Sequence, residues 1–183
     1  MINWKFGVML FLLGLMVVLV PRFILPVCEY QGSMNDDCLS EFRNKKINFI
    51  YQFSSLIPTL TTIENVMLPT AFGNYSEDIE GYARELIRVV GLEDKMNSYP
   101  SHLSGGQQRR VAIARAFINS PEIVLADEPT GDLDEDTEKE VIQLFHRMNE
   151  EKGITFIVVT HNKEIANQAK KQFKMTNGIL SAI

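Results

Sequence analysis

Apolar residues follow two different patterns along the chain, and the change between them marks its organisation. From Phe6 to Val20 the run FGVMLFLLGLMVVLV carries no charge, and after Pro21-Arg22 it resumes as FILPV. From Met34 onward, short β-branched and aromatic runs alternate with stretches whose apolar positions recur every three to four residues. KINFIYQF (46–53) reads as a strand. A short helix lies between Pro58 and Pro69. Ser76 is placed to cap a helix on which Tyr82, Leu86, Ile87 and Val90 share a face and which Gly91 ends. A further helix covers about 107–118 and is stopped by Pro121. EIVLAD (122–127) reads as a buried strand ending in acid. Residues 136–148 form a helix with Val141, Leu144, Phe145 and Met148 inward. ITFIVVT (154–160) is a second buried strand, 162–171 a short helix, and FKMTNGILSAI a hairpin turned at Asn177-Gly178. Strands alternating with helices predict an α/β fold with a largely parallel sheet.

The N-terminal run changes this picture. A bilayer span needs about 17–25 apolar residues, so the run is borderline without its flanks. Trp4 and Lys5 stand where interfacial anchors would. No small-x-small cleavage site follows. Residues 1–33 are therefore expected to be a membrane-inserted apolar helix, the alternative being a buried soluble one. Net charge is −5, from 18 basic and 23 acidic residues, which argues against a general nucleic-acid binder. Cys28 and Cys38 have no zinc spacing and read as incidental thiols.

The chemistry gathers at four points. In LSGGQQRR (103–110), Ser104 and Gln107 have capping-box spacing, so a helix begins at Gly105 and Gly106. Backbone N–H groups bare of side chains at a helix start suit an anion such as phosphate. Alone, this reads first as a plain helix cap. In IVLADEPT, Asp127 and Glu128 end an apolar strand, where ligands collect in α/β sheets. Asp127 there could hold Mg²⁺ on nucleotide phosphates, and Glu128 could take a proton from an attacking water. Thr160-His161 ends the next strand, where an imidazole could position that water. Gln52 follows the 46–53 strand core and could reach the metal.

These residues carry a resemblance. From Met34 to the C-terminus the chain resembles the ATP-binding subunit of an ABC transporter. Leu103-Ser104-Gly105-Gly106-Gln107 matches the family signature, Ile123 to Asp127 with Glu128 the Walker B strand and catalytic glutamate, and Gly131-Asp132-Leu133-Asp134 is similar to the D-loop. His161 matches the switch histidine and Gln52 the Q-loop glutamine. Within the family the chain looks most like the macrolide and lipoprotein-release exporters. The resemblance implies a P-loop NTPase core with a helical subdomain over about 56–118. It implies ATP and Mg²⁺ as cofactors, with Glu128 and His161 catalytic and Asp127 and Gln52 at the metal. Ser104, Gly105, Gly106, Gln107 and Asp134 would lie at the nucleotide. It also implies a permease and a second ATP-binding subunit as partners, no nucleic acid, and a place on the cytoplasmic side of a bacterial cell membrane.

The chain departs from the family in one respect. None of its 11 glycines begins a GxxxxGK[ST] phosphate loop. The core is thus expected to be incomplete, truncated at its front and preceded by the apolar helix. Residues 1–33 resemble the opening of a family of small bacterial integral-membrane proteins of unknown function, so two unrelated segments would join near Met34. In the family each ATP lies between the phosphate loop of one subunit and the signature of the other. Asp127, Glu128 and His161 would then lack their own nucleotide, while Ser104 to Gly106 could still meet a partner's. This leaves an ATPase subunit unable to bind ATP alone, or a non-catalytic, membrane-tethered partner. Lys5 before the span and Arg22 after it leave the orientation open.

Overall fold

A computed structural model of the chain describes residues 16–17, 45–72, 78–131, 133–176 and 179–183. Their strands form one six-stranded sheet in the order β2-β3-β4-β1-β5-β6. β2 (Ile47–Ile50), β3 (Ile123–Asp127) and β4 (Thr155–Thr160) are mutually parallel. β5 (Phe173–Thr176) and β6 (Ile179–Ala182) form the expected hairpin, and the turn at 177–178 lies outside the described residues. β1 (Met16–Val17) lies antiparallel between β4 and β5. The apolar helix expected over 1–33 otherwise lies outside the described residues. At β1 the chain is extended and paired, not helical. Among the described residues no helix is long and apolar enough to cross a membrane.

Among the described residues five α-helices accompany the sheet. They are α1 (Thr62–Met67), α2 (Ile79–Val89), α3 (Gly105–Phe117), α4 (Glu135–Lys152) and α5 (Lys163–Asn167). α3 is buried on nearly every side, from Arg109 through Phe117, which suits its run of Val111, Ala112, Ile113, Ala114, Ala116 and Phe117. α1 and α2 pack around it, and Asn48 on β2 donates to the Ala116 carbonyl at 2.9 Å. α4 and α5 cover β4. One continuous core joins Ile50, Val124 and Ala126 of the sheet to Phe117, Val141 and Phe145 of the helices.

Local chemistry explains where the expected bounds shift. The cap of α2 is Asp78, which accepts from the Gly81 N–H, rather than Ser76, which is outside the described residues. α4 runs to Lys152 because Gly153, at φ +70°, supplies the left-handed stop. α5 is shorter than 162–171 and closes at Gln168. β2 ends at Ile50 rather than 53 because the carbonyls beyond it are taken by side chains of α3.

Candidate functional site

β3 and β4 end side by side, with Asp127 opposite Val159. Directly after Asp127 the chain turns through Glu128 at φ +44°. That left-handed conformation costs a non-glycine residue about 1–2 kcal/mol. Hydrogen bonds from β4 and the turn beyond it offset this. The Glu128 N–H donates to the Val159 carbonyl at 2.9 Å. Its carboxylate accepts from Thr160 Oγ1 at 3.1 Å and from the His161 N–H at 2.8 Å. His161 Nδ1 lies 2.6 Å from the same carboxylate. The Glu128 side chain is 16% exposed and that of His161 76%, so the anchor is inside and the imidazole outside. A carboxylate holding Nδ1–H leaves Nε2 of a neutral ring as an outward acceptor.

Asp127 is raised above the usual aspartate value of 3.8, first by burial and then by the charge of Glu128, with Arg109 pulling the other way. A divalent cation at this edge would relieve that repulsion, so the donor set fits Mg²⁺. Among the described residues no three His, Cys, Asp or Glu side chains converge on a metal position. Because the folded chain holds the Asp127 proton more tightly than the unfolded one, this group lowers stability above its raised value. Asp127→Asn is therefore expected to raise Tm at pH 7 in metal-free buffer. The gain over the parent should shrink as pH falls toward 3.8. Paired thermal melts between pH 7 and 4 check this, and an unchanged Tm at pH 7 would contradict it.

Gln52 leaves β2 beside this edge, since Ile50 pairs with Ala126. Its carbonyl, with that of Tyr51, accepts from the guanidinium of Arg109. Its side chain is exposed and makes no hydrogen bond to Asp127 or Glu128. Arg115 takes the carbonyls of Ser54 and Ser55, at 2.9 Å each. α3 thus fixes the course of the chain from 51 to 55.

At the start of α3 the capping box forms as the spacing requires. Ser104 Oγ accepts from the Gln107 N–H at 3.2 Å, and Gln107 Oε1 accepts from the Ser104 N–H at 2.9 Å. A Cβ placed on Gly105 would meet nothing within 4 Å, so its backbone is open to a ligand. One on Gly106 would lie 3.4 Å from Leu133 Cδ2, which brings the glycine turn against the loop after β3. Asp134, in that loop, caps α4 by accepting from the Thr137 N–H at 3.0 Å and its hydroxyl at 2.8 Å. These bonds hold its carboxyl below the usual value. The structure therefore makes two groups, Asp127, Glu128 and His161 on one strand edge, and Ser104 to Gln107 with Asp134 at two adjoining helix starts. Arg109 and Thr160 escaped the sequence reading. Arg109 shares a face with Ala112, Ile113 and Ala116, and a cation on an apolar stripe is the signal that could have found it.

Comparison with known proteins places the chain in a family. The ABC transporter family model matches residues 28–131. The chain is 44% identical over 153 residues to the lipoprotein-releasing system ATP-binding protein LolD of Cytophaga hutchinsonii, covering 83% of this chain and 70% of the relative. It is 45% identical over 147 residues to the ABC transporter ATP-binding protein YtrE of Bacillus subtilis strain 168, covering 80% and 64%. Among solved structures it is similar to the dimeric ATP-binding cassette MJ0796 in a post-hydrolysis state with ADP and Pi, at TM-score 0.69 and 44% identity over 76% of this chain and 62% of that one. A second dimeric MJ0796 structure, described as a bacterial ABC transporter cassette, gives TM-score 0.69 and 45% identity over 75% and 62%. The chain thus spans about two thirds of the length of these relatives. With its family model, its relatives and its fold in agreement, this chain belongs to the ABC transporter family, among the ATP-binding subunits.

Proposed function

We propose that the chain acts in an ATP-driven exporter of the lipoprotein-release type, on the cytoplasmic face of a bacterial membrane, paired with a permease and a second ATP-binding subunit. The observation that carries this is the open helix start at Ser104, Gly105 and Gly106. Its bare N–H groups face no protein side chain at Gly105 and suit the terminal phosphate of a nucleotide held by the paired subunit. Asp127, Glu128 and His161 fit the reciprocal task of holding Mg²⁺ and activating water. ATP bound there would supply the phosphoryl group that water attacks, with Gln52 beside it, while Asp134 would lie with the glycine turn toward the paired subunit's nucleotide.

A second reading rests on a specific feature of the sequence. No GxxxxGK[ST] loop stands among the 11 glycines, and among the described residues nothing is placed to cradle β- and γ-phosphates against Asp127. The chain then lends its signature to a complete subunit without hydrolysing ATP itself. Isothermal titration of the purified chain with Mg-ATP separates the two. No saturable heat at micromolar nucleotide is expected. Micromolar, stoichiometric binding would restore an autonomous ATPase.

A further inference from the structure

The seam between α2 and α4 encloses a cavity of about 470 Å³, lined by Arg88, Gly91, Arg110, Glu140, Leu144 and Arg147. Its cations are unevenly occupied. Arg88 pairs with Glu93 at 3.0 Å. Arg110 donates through Nη1 to the Val90 carbonyl at 3.1 Å, while its buried Nε finds no acceptor. Arg147, exposed on α4, has no ion pair or hydrogen bond among the described residues. Glu140 lies two turns before it on the same helix and opposes part of this charge. With Arg88 neutralised by Glu93, Arg110 and Arg147 outweigh Glu140. Two guanidiniums that line one cavity and outweigh its single carboxylate suit an oxyanion.

We propose that this seam binds a phosphate-type oxyanion, gripped by Arg110 of α3 and Arg147 of α4 and so bridging those two helices. It is separate from the glycine turn at 104–106 and does not depend on the nucleotide reading. The anion could be inorganic phosphate or the phosphate of a monoester whose organic part lies against Leu144.

The test is a titration of the isotopically labelled chain with inorganic phosphate at constant ionic strength. The readout is the Nε–Hε NMR signals of Arg110 and Arg147. Saturable shifts of both are expected. Arg147→Gln should weaken binding about tenfold, the loss of one charge-assisted contact. Glu140→Gln should tighten it, and Ser104→Arg should leave it unchanged. Both Arg147 and Glu140 are exposed, so neither variant should disturb folding. Tighter binding of phenyl phosphate than of inorganic phosphate supports the proposal and assigns a monoester. Equal binding supports it and assigns the free ion. Shifts that fail to saturate, that chloride reproduces, or that persist unweakened in Arg147→Gln overturn it.

Discussion

Phe117→Ala is expected to cost about 3–5 kcal/mol of folding stability, the range for deleting a buried aromatic ring. Phe117 closes α3 and is 1% exposed. Its ring meets Phe145 of α4 edge-on at 6.4 Å and Phe156 of β4 at 6.0 Å. Those two rings stack on each other at 4.6 Å. The cluster therefore ties the helix that begins at Ser104 to the strand that ends at Thr160-His161. A cavity at Phe117 cannot collapse without moving α3, α4 or β4, so the loss should fall at the upper part of the range. Urea denaturation of the two proteins measures it. Phe53→Ala is the control. That ring is 76% exposed, and its removal should change stability by less than about 0.5 kcal/mol. Comparable losses in both would mean that the core does not run through Phe117.

Arg109→Met carries the second large effect, about 2–4 kcal/mol. It removes a buried charge-assisted donor from two carbonyls at once, and each unpaired acceptor is costly. Arg109 is 2% exposed and holds Tyr51 and Gln52 by their backbone. The loss should therefore be local as well as global. Amide exchange is expected to quicken along 51–57 while the hairpin of β5 and β6 keeps its protection. The substitution also removes the one named attraction that opposes the rise at Asp127, so the Asp127 carboxyl should move further up. Uniform quickening across the chain, or none, would contradict the role given to Arg109.

Much of this molecule can be read from the order of its residues. Alternation of IVLAD and TFIVVT with helical stretches yields parallel β3 and β4, and the Ser104 and Gln107 spacing yields the capping box at its correct end of α3. Periodicity fails where a partner distant in the chain decides the outcome. Tyr51 to Phe53 have strand composition, yet leave the sheet because Arg109 and Arg115, far along the chain, claim the carbonyls of Tyr51, Gln52, Ser54 and Ser55. Asp134 is nominated by its motif as a nucleotide contact, and its oxygens are occupied by Thr137. The pairing of Glu128 with His161 depends on a left-handed turn at a glutamate, which no propensity foretells. The apolar N-terminal run offers length and hydropathy alone, and at Met16–Val17 the chain joins the sheet instead.

The account turns on whether the glycine turn at 104–106 serves a nucleotide held by another subunit. Phosphate release by a full-length ATP-binding subunit of the same exporter type, at limiting concentration, should rise saturably as this chain is added. Ser104→Arg should abolish the rise. Ser104→Asp should abolish it too, although aspartate keeps the helix cap, because its charge repels the incoming phosphate. Stimulation that never appears, or that survives both substitutions unchanged, would contradict the central claim.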